Sequence, residues 1–355
     1  MPTYMDVHLL PGVKAGDVAA AHQLDLGLQD QHGCRCMTYW IDEERENVFC
    51  LIEAPDKDSV IKLHGAAHGL IPNRIIEVDQ DLVKAFLGRI HDPDKATEKN
   101  GLKVFEDPSY RYIVLLRNID KGLLIHRKGR NEALTFLREY ELAGGPALIN
   151  YNNRKNIRAR SFRSAGEASE FLKEIHKKSW SEELGITSVL TAGEPVEKEG
   201  SYFNECFKLT GFLGCTPANG IIISNVVANY IPETMDFKKS VLTASEENTI
   251  IAICSLLESE GHMPEFHTGK ICDILCASRS AVYRITTKLF DLSPNDLINH
   301  YRLHLSLPKL WEKQRIGEVA YESGFNSASY FSKLFRQHFG LQPMEYSGLR
   351  DEFSE

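Results

Sequence analysis

The sequence predicts a multidomain protein: two α+β domains followed by an all-α domain built from two helix–turn–helix units. Three observations carry that reading. Residues 1–90 alternate between strand-like and helix-like periods, and the middle of the chain repeats the alternation with different turn signals. From residue 245 onward only the helical period remains, broken by short turns. At 355 residues the chain is long for one domain and fits two or three. Two polar joints, residues 91–101 and residues 231–239 with 245–248, divide it into domains at 1–92, 101–235 and 243–350. No tract is of low complexity.

The elements of the first domain follow in order. Thr3 to Leu10 reads as a strand and Lys14 to His32 as a helix. Cys34 to Asp42 and Asn47 to Glu53 form a hairpin around Glu43–Glu46. Asp56 to Gly69 is a second helix and Arg74 to Asp79 a further strand. This βαββαβ order predicts a ferredoxin-like sandwich. His64 and His68 stand four apart on one helix face, an arrangement common to transition-metal pairs. His8 lies on the first strand beside Asp6, and His22 on the first helix. Histidines so spaced are also ordinary surface residues, and a strand histidine can serve only as a hydrogen-bond partner. The stretches MDVH, AAHQLD, YWIDEERENVFCLIEAPDK and HGAAHGLIP resemble a family of small bacterial proteins described as nickel-binding, over nearly all of residues 1–90. The resemblance implies that His8, His22, His64 and His68 hold nickel or another divalent transition metal, since imidazole suits nickel, copper and zinc.

In the middle domain, Ile186 to Val196 reads as a strand ending in a tight turn. A helix follows around Cys206 and an apolar strand from Gly220 to Val227, while Ala168–Lys177 is helical. Residues 110–231 resemble a class III nucleotide cyclase homology domain on these stretches. Active members of that family need two aspartates to hold two metal ions against the triphosphate. Here the first position falls at Asn118 and the second within residues 152–156, and no Asp or Glu lies between Glu141 and Glu167. The positions that stabilise the transition state fall at Lys208 and Phe212. The expectation is a domain without catalysis, not an enzyme. It either binds an anionic small molecule through Arg154, Lys155, Arg158 and Arg160, or serves to dimerise or position its neighbours.

The C-terminal domain has the densest pattern. Ile316, Val319 and Ala320 form the apolar face of a short helix, and Gly324 sits where the chain must turn. Ser327 suits an N-cap. Phe331, Leu334, Phe335 and Phe339 then recur at helical spacing, leaving Ser329, Lys333 and Arg336 on the opposite face. Gly340 and Pro343 end the helix. A weaker copy precedes it: Ile271, Ile274 and Leu275 in the first helix, Ser278 as cap, and Val282, Ile285 and Leu289 inward. Ser280, Tyr283, Arg284, Thr287 and Lys288 face outward. Asp296 to Trp311 is a connecting helix, with Pro308 inside it. Residues 245–348 resemble the DNA-binding domain of the AraC/XylS transcription regulators. That resemblance implies double-stranded DNA as partner, with Ser280, Tyr283, Ser329 and Arg336 near base edges and Arg284, Lys288, Lys333 and Arg336 on phosphates. A solvated helix face is the bland alternative for each.

Charge agrees with this division. The net charge is −8, from 41 Lys and Arg against 49 Asp and Glu, which argues against wholesale coating of nucleic acid. Residues 1–100 hold 10 basic against 17 acidic residues, and residues 268–345 hold 10 against 7. An acidic front and a mildly basic tail suit DNA contacts confined to one end. The 8 cysteines form no CxxC framework, so reduced thiols and a cytoplasmic location are expected. No stretch approaches the roughly 20 apolar residues of a membrane span, and no secretory signal is evident. The expected function is a sequence-specific regulator with N-terminal metal- or ligand-sensing modules, working as a homo-oligomer. A nucleotide-binding or residual cyclase enzyme, and a metal-binding protein whose helical tail serves assembly, are the alternatives.

Overall fold

The computed structural model describes residues 1–94, 97–99, 102–117, 120–144, 157–177, 186–196, 202–215, 220–231 and 239–354. These gather into two compact units, one drawn from Met1–Ile113, Arg160–Glu167 and Ala192–Phe207, the other from Val114–Ala159, Ala168–Thr191 and Lys208–Glu355.

The first unit contains β1 (Thr3–Leu9), α1 (Ala15–Leu28), β2 (Arg35–Asp42), β3 (Asn47–Glu53), α2 (Lys57–Ala67), β4 (Arg74–Glu77) and α3 (Gln80–Leu87). A small ribbon of β5 (Thr97–Lys99) and β6 (Leu102–Val104) follows. The sheet order is β2-β3-β1-β4, antiparallel throughout, which is the ferredoxin-like pattern. The first helix is shorter than its sequence suggests. After Leu28 the chain tightens into a 3₁₀ turn, which Gly33 ends at a left-handed φ of 63°. Caps set the other boundaries: Asp56 accepts from Ser59 N at 2.8 Å, and Asp79 accepts from Asp81 N and Leu82 N.

Strand side chains alternate, so Tyr4, Asp6 and His8 share one face of β1. The register carries that face onto Ile52, Cys50 and Val48 of β3, and onward to Cys36, Tyr39 and Ile41 of β2. Helices α1 and α2 pack against each other over it. Val60 and Leu63 meet Tyr4, Cys36 and Ile52 at one end, while Val13 and Val18 meet Tyr39, Ile41 and Val48 at the other. The opposite face is closed too, with Met5, Trp40, Phe49 and Leu51 fully buried. Each such side chain contributes about 1.5–3 kcal/mol through burial.

Further along run β7 (Arg111–Arg117), α4 (Lys121–Lys128), α5 (Arg130–Gly144), β8 (Ile157–Phe162), α6 (Ala165–Lys177), β9 (Thr187–Gly193), α7 (Asn204–Phe207), α8 (Thr210–Cys215), β10 (Gly220–Ile223) and β11 (Lys239–Val241). The second sheet is ordered β11-β10-β9-β7-β8, and β9, β10 and β11 are parallel neighbours.

The remainder of the second unit is helical: α9 (Ala244–Glu260), α10 (Thr268–Ile274), α11 (Arg279–Phe290), α12 (Pro294–Trp311), α13 (Ile316–Glu322), α14 (Ala328–Phe339) and α15 (Pro343–Ser354). The long helix α12 packs against α10, α11, α13, α14 and α15. Its buried residues Leu303, Leu307 and Leu310 join Val319, Ala320, Phe325, Phe331, Phe335 and Phe339 in one core. Arg302, also buried, donates to the carbonyls of Gly261 at 2.8 Å, Met263 at 2.8 Å and Phe266 at 3.1 Å, closing the turn between α9 and α10. Gly324 takes a φ of 93°, and a Cβ there would stand 2.7 Å from Arg302 Nε. Two sequence expectations shift. Ile274, the last residue of α10, is 47% exposed, and Ile271 alone of the three expected apolar residues is fully buried. In α11, Thr286 and Phe290 join Val282 in the core, while Ile285 and Leu289 are half-buried.

Helix α4 packs closely on α15. Asp120 caps α4 at Leu123 N and accepts from Tyr346 Oη, each at 2.8 Å. A Cβ on Gly122 would lie 2.6 Å from the Tyr346 ring and 2.9 Å from that of Trp311. Gly122→Ala is expected to cost about 1–3 kcal/mol by overpacking, although alanine favours helices more than glycine does. A thermal melt in which this variant matches or exceeds the parent would refute so close an approach.

Candidate metal centre and nucleic-acid interface

Helix α1 presents Val18, His22 and Asp25 on its buried face, spaced at helical period, and α2 presents Val60, Leu63 and His64. The apolar members seal the two ends of the layer between helices and sheet. The polar members form a line through its middle. His64 bridges two carboxylates: Nε2 is 3.0 Å from Asp6 Oδ2, and Nδ1 is 3.2 Å from Asp25 Oδ1. His68 Nε2 lies 3.1 Å from His64 Nδ1 and 3.3 Å from Asp25 Oδ2. His8 Nε2 lies 3.2 Å from Asp6 Oδ1. Asp6, His8, Asp25 and His64 are all buried.

An imidazole that faces carboxylates at both nitrogens satisfies them only by donating twice, as imidazolium. Burial opposes that charge, but the Asp6 carboxylate and the hydrogen bond to Asp25 outweigh it and hold His64 up at about 10. Burial likewise pushes Asp6 and Asp25 up. The attraction of His64, with His8 for Asp6 and His68 for Asp25, reverses it and holds both below the ordinary carboxylate value of 3.8. Burial and the nearby Asp6 carboxylate push the Cys50 thiol well above its ordinary range.

Two overlapping donor sets result, Asp6–His8–Cys50–His64 and Asp25–His64–His68, each with ligand atoms within 4.8 Å of one another. They border a cavity of about 60 Å³ that His22 and Tyr39 also line. His8 Nδ1 is buried with no hydrogen-bond partner among the described residues. Imidazole, carboxylate and thiol suit nickel, zinc or copper, and a divalent ion would replace the positive charge that His64 now supplies. The donor set therefore fits such an ion.

Three of the four predicted histidines, His8, His64 and His68, come together here. The fourth, His22, pairs through Nε2 with Asp92 at 3.4 Å and stands outside both donor sets. Sequence reasoning missed Asp25 and Cys50. Asp25 follows His22 by three residues on the same helix face, and Cys50 is the cross-strand partner of Asp6. Either was legible once the phase of α1 or the register of β1 on β3 was known.

In the second unit, both predicted recognition helices form. Ser278 caps α11 at Ala281 N and Ser327 caps α14 at Tyr330 N, each at 3.3 Å. Asp291 and Gly340, both left-handed, end them. Ser280, Tyr283, Arg284 and Lys288 on α11, and Ser329, Lys333 and Arg336 on α14, are all exposed. Arg284, Lys333 and Arg336 have no ion-pair partner among the described residues, whereas Lys288 pairs with Glu246 at 2.5 Å. Arg279, exposed at the first position of α11, belongs with this group and was missed. Each helix is about 18 Å long at 1.5 Å per residue, sufficient to lie along a major groove.

Asn118 and residues 152–156 lie outside the described residues. Asp120, two residues further along the chain from Asn118, is engaged as a cap and by Tyr346. Phe212 is core, its ring 5.3 Å from that of Phe290.

A tandem helix–turn–helix output beside an α+β domain defines a DNA-binding transcription regulator. Residues 271–348 match the model of a helix-turn-helix domain, of the AraC type, and residues 4–78 belong to the family described as nickel responsive protein SCO4226-like. Among solved structures the chain resembles SCO4226 from Streptomyces coelicolor A3(2), at 30% identity over 21% of this chain and 94% of that one, with a TM-score of 0.21. It also resembles an AraC-type regulator from Chromobacterium violaceum, at 24% identity over 30% and 96%, TM-score 0.28. A probable AraC family regulator from Rhodopseudomonas palustris CGA009 follows at 18% identity over 29% and 97%, TM-score 0.27. No curated protein matches the chain. No helix among the described residues is long and apolar enough to cross a membrane.

The buried cluster sets a pH window for the metal-free protein. The pKa of His64 is raised, so its contribution is full below its ordinary 6.5 and is lost as pH rises through about 10. The pKa values of Asp6 and Asp25 are lowered, so theirs is full above 3.8 and is lost as pH falls further. The destabilisation caused by His64→Gln should therefore be greatest between 3.8 and 6.5 and shrink on both sides. Melting both proteins across pH checks this, and a pH-independent difference would contradict it.

Proposed function

We propose that this regulator senses a divalent transition metal, nickel in the first instance, through the cluster of Asp6, His8, Cys50, Asp25, His64 and His68, and changes its affinity for DNA accordingly. The observation that carries the reading is the buried pair of carboxylates bridged by His64 beside a cavity. So many ionisable groups in one apolar layer cost stability and are retained most simply for a ligand. The SCO4226-like family match over residues 4–78 supports the same metal.

On DNA, Arg279, Arg284, Lys333 and Arg336 make phosphate contacts, and Ser280, Tyr283, Ser329 and Arg336 approach base edges. The middle segment has no catalytic role in this reading. Two paired chains would set four recognition helices on one operator, and eight free cysteines suit the reducing cytoplasm where such DNA lies.

The test is binding of metal-stripped full-length protein to its own upstream DNA at fixed salt, with and without nickel. A ligand shifts affinity only by its differential binding to the two states, so a metal sensor should show at least a severalfold change. His64→Ala with His68→Ala should abolish that change while leaving basal DNA binding intact. Affinity indifferent to nickel would remove the metal as signal. Independently, Lys333→Ala with Arg336→Ala should weaken binding about tenfold or more and flatten its dependence on log salt by roughly two contacts. An unaltered salt slope would overturn the proposed second recognition helix.

A further inference from the structure

A second group of histidines lies in the helical part of the chain, apart from the cluster already described. His300 and His304 stand one turn apart on α12, and His338 lies near the end of α14. Their ring centroids are 4.3 Å apart for His300–His304, 5.0 Å for His300–His338 and 5.7 Å for His304–His338. One nitrogen from each falls within 4.8 Å of the others. His300 is only 3% exposed, yet neither ring nitrogen has a hydrogen-bond partner among the described residues. A buried imidazole left wholly unsatisfied costs stability, and its neighbours here are two more imidazoles.

We propose that His300, His304 and His338 form a second metal site, for a divalent borderline ion such as zinc, cobalt or nickel. Three neutral imidazoles with an open fourth position make a familiar set for such ions. Ligand nitrogens about 2.0–2.1 Å from a tetrahedral ion stand roughly 3.4 Å apart, against nitrogens that already lie within 4.8 Å of one another here. His304 is half-buried and His338 exposed, which leaves solvent a path to the open position. Burial pushes His300 down to about 3, helped by His338 and Arg117, and also lowers His304 and His338, so the rings present unprotonated nitrogens. The charge of Arg117 acts on all three rings and that of Arg127 on His338, and both favour an anionic fourth ligand.

The consequence concerns the second helix–turn–helix. His338 lies on the inner side of α14, away from Ser329, Lys333 and Arg336, and faces the helix that carries His300 and His304. An ion here cross-links α12 to the recognition helix near Gly340, where the helical hydrogen bonds end. The site needs no metal in the N-terminal cluster and does not rest on the sensing role proposed above.

The test uses tag-free, metal-stripped full-length protein, loaded with excess cobalt(II), desalted and assayed for cobalt per chain. The unaltered protein should retain two equivalents. His64→Ala/His68→Ala, in which the trio is untouched, should retain one, with the visible bands of nitrogen ligation and no thiolate charge-transfer band. His304→Gln/His338→Gln should also retain one, and both positions reach solvent, so folding is expected to persist. If His64→Ala/His68→Ala holds no cobalt, the second site does not exist. If His304→Gln/His338→Gln holds none while the first variant holds one, this site stands and the N-terminal one falls. Should a variant lose its helical circular dichroism, acylation of histidines in the unaltered protein decides: cobalt should protect His304 and His338, and equal labelling with and without it overturns the proposal.

Discussion

Burial of α12 is the constraint on which the DNA-reading half depends. A helix that must touch both recognition helices cannot keep a polar face for solvent along most of its length, and α12 buries Leu297, Ile298, Leu303, Leu307 and Leu310 around its circumference. Its one buried guanidinium, Arg302, is tolerated because three carbonyls of the preceding turn accept from it. Those bonds fix the turn between α9 and α10, and the same side chain leaves room only for glycine at position 324. Thus the start of the first helix–turn–helix and the turn of the second are both registered against one residue of the connecting helix. Pro308 fits this helix because only its last turn lies beyond, where a missing N–H costs one bond, to the carbonyl of His304, and the helix still runs on to Trp311.

The same rule, that buried charge must be matched, organises the N-terminal sandwich differently. There the apolar layer is interrupted by two carboxylates, and neutrality is approached by a proton held on His64 rather than by an arginine. An arginine at that place would be permanent. A proton on imidazole is exchangeable, and a divalent ion competes for the same lone pairs. The choice of counter-charge is what separates a ligand-ready cluster from a structural ion pair such as Arg89 with Asp107.

Legibility followed locality. The turns, caps and outward faces of α11 and α14 were readable because each depends on residues within one or two helical turns: Ser278, Ser327, Gly324, Gly340 and the phenylalanine spacing. The ferredoxin-like order was readable from alternation alone. What escaped depends on distant partners. Cys50 joins the cluster through strand register, and Asp25 through the angle at which α1 meets α2. The helical histidines stayed hidden for the same reason: His300 and His304 show the same i,i+4 spacing as His64 and His68, but their third partner is 34 residues away on another helix. Asp120 takes a structural role for a like reason, through a bond from Tyr346, 226 residues on, that no local pattern signals.

The two histidine clusters also differ in what they ask of an ion. The N-terminal set offers carboxylates and a thiol beside imidazole, so an ion entering it must displace a proton that two aspartates hold tightly, and binding there strengthens as pH rises. The helical trio offers imidazole alone, with its protons already expelled by burial and by Arg117, so little proton competition remains at neutral pH. In exchange it lacks any anionic ligand to offset the ion's charge. Tight proton competition with strong charge compensation suits a site that responds to changing metal levels. Weak competition with poor compensation suits a site whose occupancy depends on the geometry that α12 and α14 impose, and therefore on whatever holds the second recognition helix in place.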